Sequence, residues 1–289
     1  MRETIVFRPD SIQALVKALQ AGSSKPTLIA GGTDLVIKLQ KRISEPEQLI
    51  VLGDVPEMKV ISEHAKWMWI GASVRISELE KKALPLELLA LRDAASEIGS
   101  VQIRNIATIG GNIANASPSA DFQPVLMALD ADAQVLRADG YTYDRKVSEL
   151  ITGSGKTTLG DREVILGFKI PLRNDRSTVS VYQKLGYRKK VSITRIGLAV
   201  SLSLDESRNI VDEAQVWLAA VSSKSIFAED AAAFLRGSTI DTLNSETFAE
   251  LLSTFVAANS PRPYKTLAVK GLAIDTIALL KTRCQNLYN

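Results

Sequence analysis

Two glycine pairs are the residues best suited to chemistry in this chain: Gly31-Gly32, within Leu28 to Leu35, and Gly110-Gly111, within Ile103 to Asn112. Glycine has no Cβ, so consecutive glycines let backbone N–H groups turn toward an anion that a larger residue would hold off. Phosphate is the natural ligand of such runs. Two of them in one chain point to one extended cofactor, a dinucleotide. Thr33 and Asp34 add a hydroxyl and a carboxylate that can fix the first loop or contact ribose and phosphate. A Gly-Gly between strand and helix is also a common tight turn, and the first run lacks G-x-G-x-x-G, so it supports no Rossmann site. The second run is richer, with the Thr108 and Ser117 hydroxyls, the Asn112 and Asn115 amides and the Asp121 carboxylate. Its small, polar composition is unlike a core and reads as a loop, either wound around a ligand or lying on the surface.

Other chemistries find little support. One cysteine, Cys284, and one histidine, His64, leave no internal disulfide, thiolate zinc site or self-contained iron-sulfur cluster, and few metal-ligand sets. No spacing suggests a triad, so we name no catalytic acid, base or nucleophile and no metal ligand. Any redox chemistry must come from an organic cofactor. Gly153-Ser154-Gly155-Lys156-Thr157 imitates the end of a Walker A loop, but Leu150 stands where its first glycine should be. Trp67 and Trp69 alternate as packing residues would, and His64 sits in a polar turn.

With 46% hydrophobic and 23% charged residues, the 289-residue chain reads as compact and globular, long enough for about two domains. Lysine and arginine number 35 against 32 aspartates and glutamates, without long basic blocks, so nucleic acid is not an expected partner. No apolar run approaches the roughly 20 residues that span a bilayer, and charged residues follow Met1, so a cytoplasmic location is expected.

Positioning the glycine pairs falls to alternating elements. Thr4 to Phe7 reads as a strand, and Asp10 can cap a helix carrying Ile12, Leu15, Val16 and Leu19 on one face. Thr27 to Ala30 is the next strand, Asp34 to Lys41 a helix and Leu49 to Leu52 a strand, which sets Gly31-Gly32 at a strand-to-helix turn where free N–H groups favour an anion. Trp67 to Ala72 reads as a strand, and Ile76 to Ala83, Leu86 to Ile98 and Ser119 to Leu129 as helices. Strands return at Gln134 to Arg137, Glu163 to Ile170, Val179 to Leu185, Leu198 to Leu204 and Gln215 to Val221. Helices at Ile226 to Leu235, Glu246 to Ala258 and Tyr264 to Leu280 complete the chain. Arg173 to Ser177 is the most linker-like stretch.

In this order the motifs resemble the FAD-binding, or medium, subunit of the molybdenum hydroxylases, a family that includes xanthine, carbon monoxide and nicotinate dehydrogenases. The resemblance rests on Phe7-Arg8-Pro9, Ala30 to Leu35, Ile70-Gly71-Ala72, Gln102 to Asn105 and Thr108 to Asp121. It continues through Gly153 to Thr157, Ile170-Pro171 and Tyr182 to Leu185. It implies an α+β fold: a two-subdomain FAD-binding domain of the vanillyl-alcohol oxidase type over residues 1–172, divided near residue 55, then a smaller α+β domain over 173–289.

By the same resemblance, Ile29, Ala30, Gly31, Gly32, Thr33, Asp34 and Leu35, with Thr108, Ile109, Gly110, Gly111 and Asn112, cradle the FAD pyrophosphate. Asp121 is a further contact, Ile165 touches FAD through its backbone, and Lys184 lies beside the cofactor. On residue type alone Lys184 is a solvated strand lysine. The implied partners are a small iron-sulfur subunit and a large molybdopterin subunit, with NAD as one acceptor. The chain departs from the xanthine dehydrogenase branch at Arg188 to Thr194, which lacks an acidic residue, and at Ala220 to Lys224, where Ala-Pro-Thr-Pro is replaced. Those departures leave the acceptor open. A stand-alone flavin oxidoreductase and a flavin-free nucleotide-binding scaffold are the rival readings.

Overall fold

The computed structural model describes residues 4–22, 24–43, 45–173, 177–188 and 191–287. Asn174, Asp175 and Arg176 of the expected linker, and Lys189 and Lys190 of the basic cluster, lie outside the described residues.

The chain opens with β1 (Ile5–Phe7), α1 (Ile12–Gln20), β2 (Thr27–Ile29), α2 (Leu35–Gln40) and β3 (Gln48–Val51). The three strands form a parallel sheet ordered β1-β3-β2, with helices as crossovers. Leu15, Ala18 and Leu19 of α1 are buried against it. Ser11, not Asp10, caps α1: its extended backbone carries the hydroxyl over the first turn, where it accepts from the Ala14 N–H at 3.2 Å. In contrast α2 buries none of its residues, although it reads Leu-Val-Ile-Lys-Leu-Gln.

Next come β4 (Ile61–Glu63), β5 (Trp67–Gly71), α3 (Ile76–Lys81), α4 (Leu89–Glu97), α5 (Val101–Arg104), α6 (Ile109–Ala114) and α7 (Phe122–Ala128). They are followed by β6 (Asp132–Arg137), β7 (Thr142–Lys146), α8 (Val147–Leu150), β8 (Ile151–Gly153), β9 (Lys156–Thr157) and β10 (Glu163–Pro171). Five of these strands make an antiparallel sheet ordered β4-β5-β10-β6-β7. β4 and β7 escaped the sequence reading because they are short, polar and at the edges. The Walker-like segment is the β8–β9 hairpin, turning at Gly155 with φ +66°. The helix expected over Leu86 to Ile98 divides: a 3₁₀ turn at Leu86–Leu88 gives way to α4 where Leu88 leaves helical geometry. Trp69 packs across the strand onto Gly167, which has no room for a side chain, while exposed His64 stacks on Trp67 at 5.3 Å.

The remainder comprises β11 (Ser177–Leu185), β12 (Ile196–Leu204), β13 (Val211–Ala219), β14 (Ile226–Phe227), α9 (Glu229–Leu235), α10 (Ser245–Asn259) and α11 (Tyr264–Gln285). The strands form an antiparallel sheet in that order. Ile226 and Phe227, expected to begin a helix, instead pair with Leu218 and Trp217, where the Phe227 and Trp217 rings meet at 5.3 Å.

Two hydrophobic cores divide the chain. One extends from Leu15 to Leu172 and takes in Tyr182 and Ala199; the other is built from β11–β14 and α9–α11. They are joined along α4. Asp93 accepts from two Arg283 nitrogens at 2.8 and 2.7 Å and from the Tyr182 N–H at 3.0 Å, and the Ser180 hydroxyl accepts from the Ala90 N–H at 3.1 Å. Removing one partner strands the other charge in a largely buried place. Arg283→Ala should therefore lower stability by about 3 kcal/mol, read as a lower denaturant midpoint.

Candidate functional site

The two glycine runs form opposite walls of one cleft of about 330 Å³, a size usual for a small-molecule site. Ile29, Ala30, Gly31, Gly32, Thr33, Asp34 and Leu35 line one side; Thr108, Gly111 and Asn112 line the other. Lys38, Ile103 and Asn115 also face the cleft. Lys38 carried no sequence signal, because a helical lysine is ordinary until the walls come together, while Ile103 heads the second run and reaches the cleft from α5.

The glycines do two kinds of work. A Cβ on Gly31 would overlap the Ile106 carbonyl, and one on Gly110 would run into Ala72, so these glycines let segments of the protein pack together. Gly32 adopts φ +73°, the left-handed turn that ends β2, and Gly111 would meet only the Thr108 hydroxyl at 3.0 Å. Gly31 is thus the point where the two walls touch.

The walls also differ in what they can donate. Among the described residues, the N–H groups of Gly31, Gly32, Thr33, Asp34 and Leu35 have no hydrogen-bond partner within the chain. Asp34 heads α2 without a side-chain cap bond, which leaves that turn open to an external acceptor. The second run is not the loop expected from its composition. Thr108 caps α6, accepting from the Gly111 N–H at 3.1 Å, while Ile109 donates to Val74 at 3.2 Å and Gly110 to Ala72 at 2.9 Å. The amides of Ile109, Gly110, Gly111 and Asn112 are therefore already used, and Ile109 and Gly110 are buried outside the cleft lining. What this wall offers is the Asn112 side chain, whose buried Oδ1 has no partner. Free amides on one side and an orphaned carboxamide oxygen on the other fit a phosphate-bearing group with hydroxyls.

The three remaining predicted residues lie away from this cleft. Ile165 is buried in β10 opposite Val135, at a register shift between Ile165 and Gly167. That irregularity reaches the glycines through Ala72, which donates to Leu166 and accepts from Gly110, both at 2.9 Å. Asp121 and Lys184 meet in a separate buried cluster, Nζ to Oδ1 at 3.4 Å. The hydroxyls of Tyr182 and Thr194 each donate to the same Asp121 oxygen at 2.6 Å. Lys184 also donates to the Glu97 carbonyl at 2.6 Å. It is not the solvated lysine its residue type alone suggests: its side chain is 4% exposed. Engagement of the Asp121 carboxylate explains why it heads α7 without capping it.

The sequence reading missed Tyr182 and Thr194. Tyr182 stands two positions before Lys184 on β11 and so shares its face, a period-2 signal that was available. Thr194, between β11 and β12, gave none.

Burial pushes the Asp121 carboxyl above its ordinary value, opposed by the Lys184 charge and by hydrogen bonds from Thr194, Tyr182 and Lys184. Burial, then the Asp121 charge, drives the Tyr182 phenol well upward. Tyr182 therefore stays a donor, and Asp121 is an acceptor held at two points.

Residues 2–173 match the family model described as the FAD binding domain in molybdopterin dehydrogenase. The chain is 30% identical over 211 residues to the nicotinate dehydrogenase FAD-subunit of Eubacterium barkeri, covering 72% of this chain and 71% of that one. It is 26% identical over 242 residues to xanthine dehydrogenase 1 of Arabidopsis thaliana, covering 80% of this chain but only 18% of that much longer protein. In structure it is similar to a chain of carbon monoxide dehydrogenase from Hydrogenophaga pseudoflava, with a TM-score of 0.86, 25% identity and 98% of each chain covered. The chain belongs to the FAD-binding domains of molybdopterin dehydrogenases, and so to the flavoproteins among oxidoreductases. Within that class it is of the medium-subunit type of the molybdenum hydroxylase family, and its cofactor is FAD.

Two outcomes check the site. Gly31→Ala should cost both flavin and stability, because the walls must part, whereas Gly111→Val should lose flavin absorbance and leave the apoprotein melting temperature within a few degrees of wild type. Asp121 binds a proton on folding because its folded value exceeds its unfolded value near 3.8. Its contribution to stability is then present at low pH and lost as pH climbs from 3.8 through the raised value. Denaturant unfolding across that window should show this fall in wild type and not in Asp121→Asn.

Proposed function

We propose that this chain is the FAD-carrying electron-transfer subunit of a cytoplasmic molybdenum hydroxylase complex. It would receive electrons from iron-sulfur clusters of a small partner subunit and deliver them to an acceptor such as NAD, while a large molybdopterin subunit acts on the substrate. The observation that carries this reading is the cleft in which free amides from Gly31 to Leu35 face the orphaned Asn112 oxygen. Both walls come from runs inside the matched family region.

The chain's own part is to hold and orient. The Gly31 to Leu35 amides bind the pyrophosphate, helped by Lys38 at the cleft edge, and Asn112 accepts from a ribose or ribityl hydroxyl. Thr108 to Asn112 shape the opposite wall, and Ile109 to Asn112 contribute little donation, since their amides are occupied. Asp121, fixed by Tyr182 and Thr194, and Lys184 would supply a rigid polar contact beside the cofactor, and Ile165 would contact it through its backbone. Bound there, FAD supplies a carrier that takes electrons singly and releases them in pairs.

We assign residues 1–172 to a FAD-binding domain of the vanillyl-alcohol oxidase type, with subdomains meeting near residue 55, and 173–289 to the C-terminal domain. The division between the two hydrophobic cores supports that assignment. The test is the absorption spectrum of the native protein together with the proteins that co-purify. A flavin spectrum, with iron-sulfur and molybdenum subunits attached, is expected. A colourless protein that stays apo with added FAD overturns the reading, and substrate oxidation by the isolated chain replaces it with a self-sufficient flavoenzyme.

A further inference from the structure

A second cavity of about 540 Å³ lies apart from the glycine cleft, between the Pro118-Ser119 loop, Ile193 to Arg195, Ala220 to Ser223 and the Asn259 to Lys265 connection. Arg195, Arg262 and Lys265 all line it, and among the described residues no carboxylate does. Among the described residues none of the three forms an ion pair.

Lys265 and Arg195 are held in place without being neutralised, and Arg262 is exposed at the cavity edge. Lys265 is 5% exposed, and its ammonium donates to the Ala220 carbonyl. Ala220 is fixed in turn by φ +62° and by an N–H bond to the Pro118 carbonyl at 2.9 Å. An ammonium carries three donors, so two remain. Arg195 lays its guanidinium over the Tyr187 ring at 3.8 Å, which uses the face of the group and leaves its edge. Its buried Nε has no partner. Burial, then the charges of Arg262 and Arg195, pull the Lys265 ammonium below its ordinary value. Gathering three cations in a partly desolvated cavity is unfavourable unless an anion completes the site. Ser222, Ser223 and Asn259 add neutral hydrogen-bonding groups, while Ile193, Val221 and Pro261 supply apolar wall.

We propose that this cavity binds a small oxyanion-bearing molecule through its phosphate or carboxylate group, held by Arg195, Arg262 and Lys265. The site is independent of the flavin assignment. It shares only the Thr194 wall with the Asp121 cluster.

The test is calorimetric titration of the full chain at low ionic strength, with inorganic phosphate in one arm and benzoate in the other. Saturable one-to-one binding of at least one anion is expected, weakened by about tenfold or more in Arg195→Gln and in Arg262→Gln, because each loses a charge-assisted bond. Lys25→Gln, which alters an exposed ion pair with Asp161, should leave affinity unchanged. No saturable binding of either anion, or binding indifferent to both arginine variants, overturns the proposal. Arg262 is exposed, so if Arg195→Gln fails to melt cooperatively, Arg262→Gln decides the outcome alone. Flavin absorbance in the same samples reads the FAD assignment separately.

Discussion

The close approach of Gly31 to the Ile106 carbonyl is the contact on which the cleft depends. It brings the end of a parallel strand in one sheet unit against the segment that leads into α6 of another. A methyl group there would force the walls apart. Gly110 repeats the arrangement one layer deeper, where α6 is seated on Ala72. Ala72 is tied to β10 as well, so the glycine wall, the edge of β5 and the irregularity near Ile165 move as one piece. Packing of this kind holds a binding surface in shape before any ligand arrives, which lowers the ordering cost of binding.

Once the walls are joined, their chemistry is unequal. Hydrogen-bond capacity at a helix start is limited, and α6 spends its own on Thr108, Val74 and Ala72, while the start of α2 spends none on Gly31 to Leu35. The first run is therefore the donor surface and the second a shaped support with one unpartnered oxygen. α2 is also bare: it is largely apolar in sequence, yet none of its residues is buried.

The segment leading into β12 separates two electrostatic environments. On one side Thr194 helps to enclose Asp121, whose charge is answered by Lys184 and two hydroxyl donors. On the other side Arg195 joins Arg262 and Lys265, with no carboxylate among the described residues of the cavity wall. A satisfied polar cluster rigidifies its surroundings, whereas an unanswered set of charges stores a preference for a counter-ion. Adjacent residues of one short segment thus serve opposite purposes.

Much of this was legible in the residues. Hydrophobic periodicity located the principal helices and long strands, because a buried face repeats at 2 or 3.6 residues whatever it packs against. The order of the glycine runs, with Thr33-Asp34 and the stretch to Asp121, resembles the FAD-binding subunits of molybdenum hydroxylases, and the family match over residues 2–173 bears that resemblance out. Edge strands β4 and β7, the start of β14 and the cap of α1 were not legible, because pairing partners and cap geometry decide them more than residue type does. Nor could spacing reveal that the second run enters a helix with the amides of Ile109 to Asn112 consumed, or that Lys184 is buried against Asp121 across more than sixty positions. Sequence by itself determined which groups the chain possesses and the local elements that carry them. Which amides stay free, which charges are paired and which three cations share a cavity were decided only by tertiary structure, because hydrogen bonding and burial depend on neighbours distant in the chain.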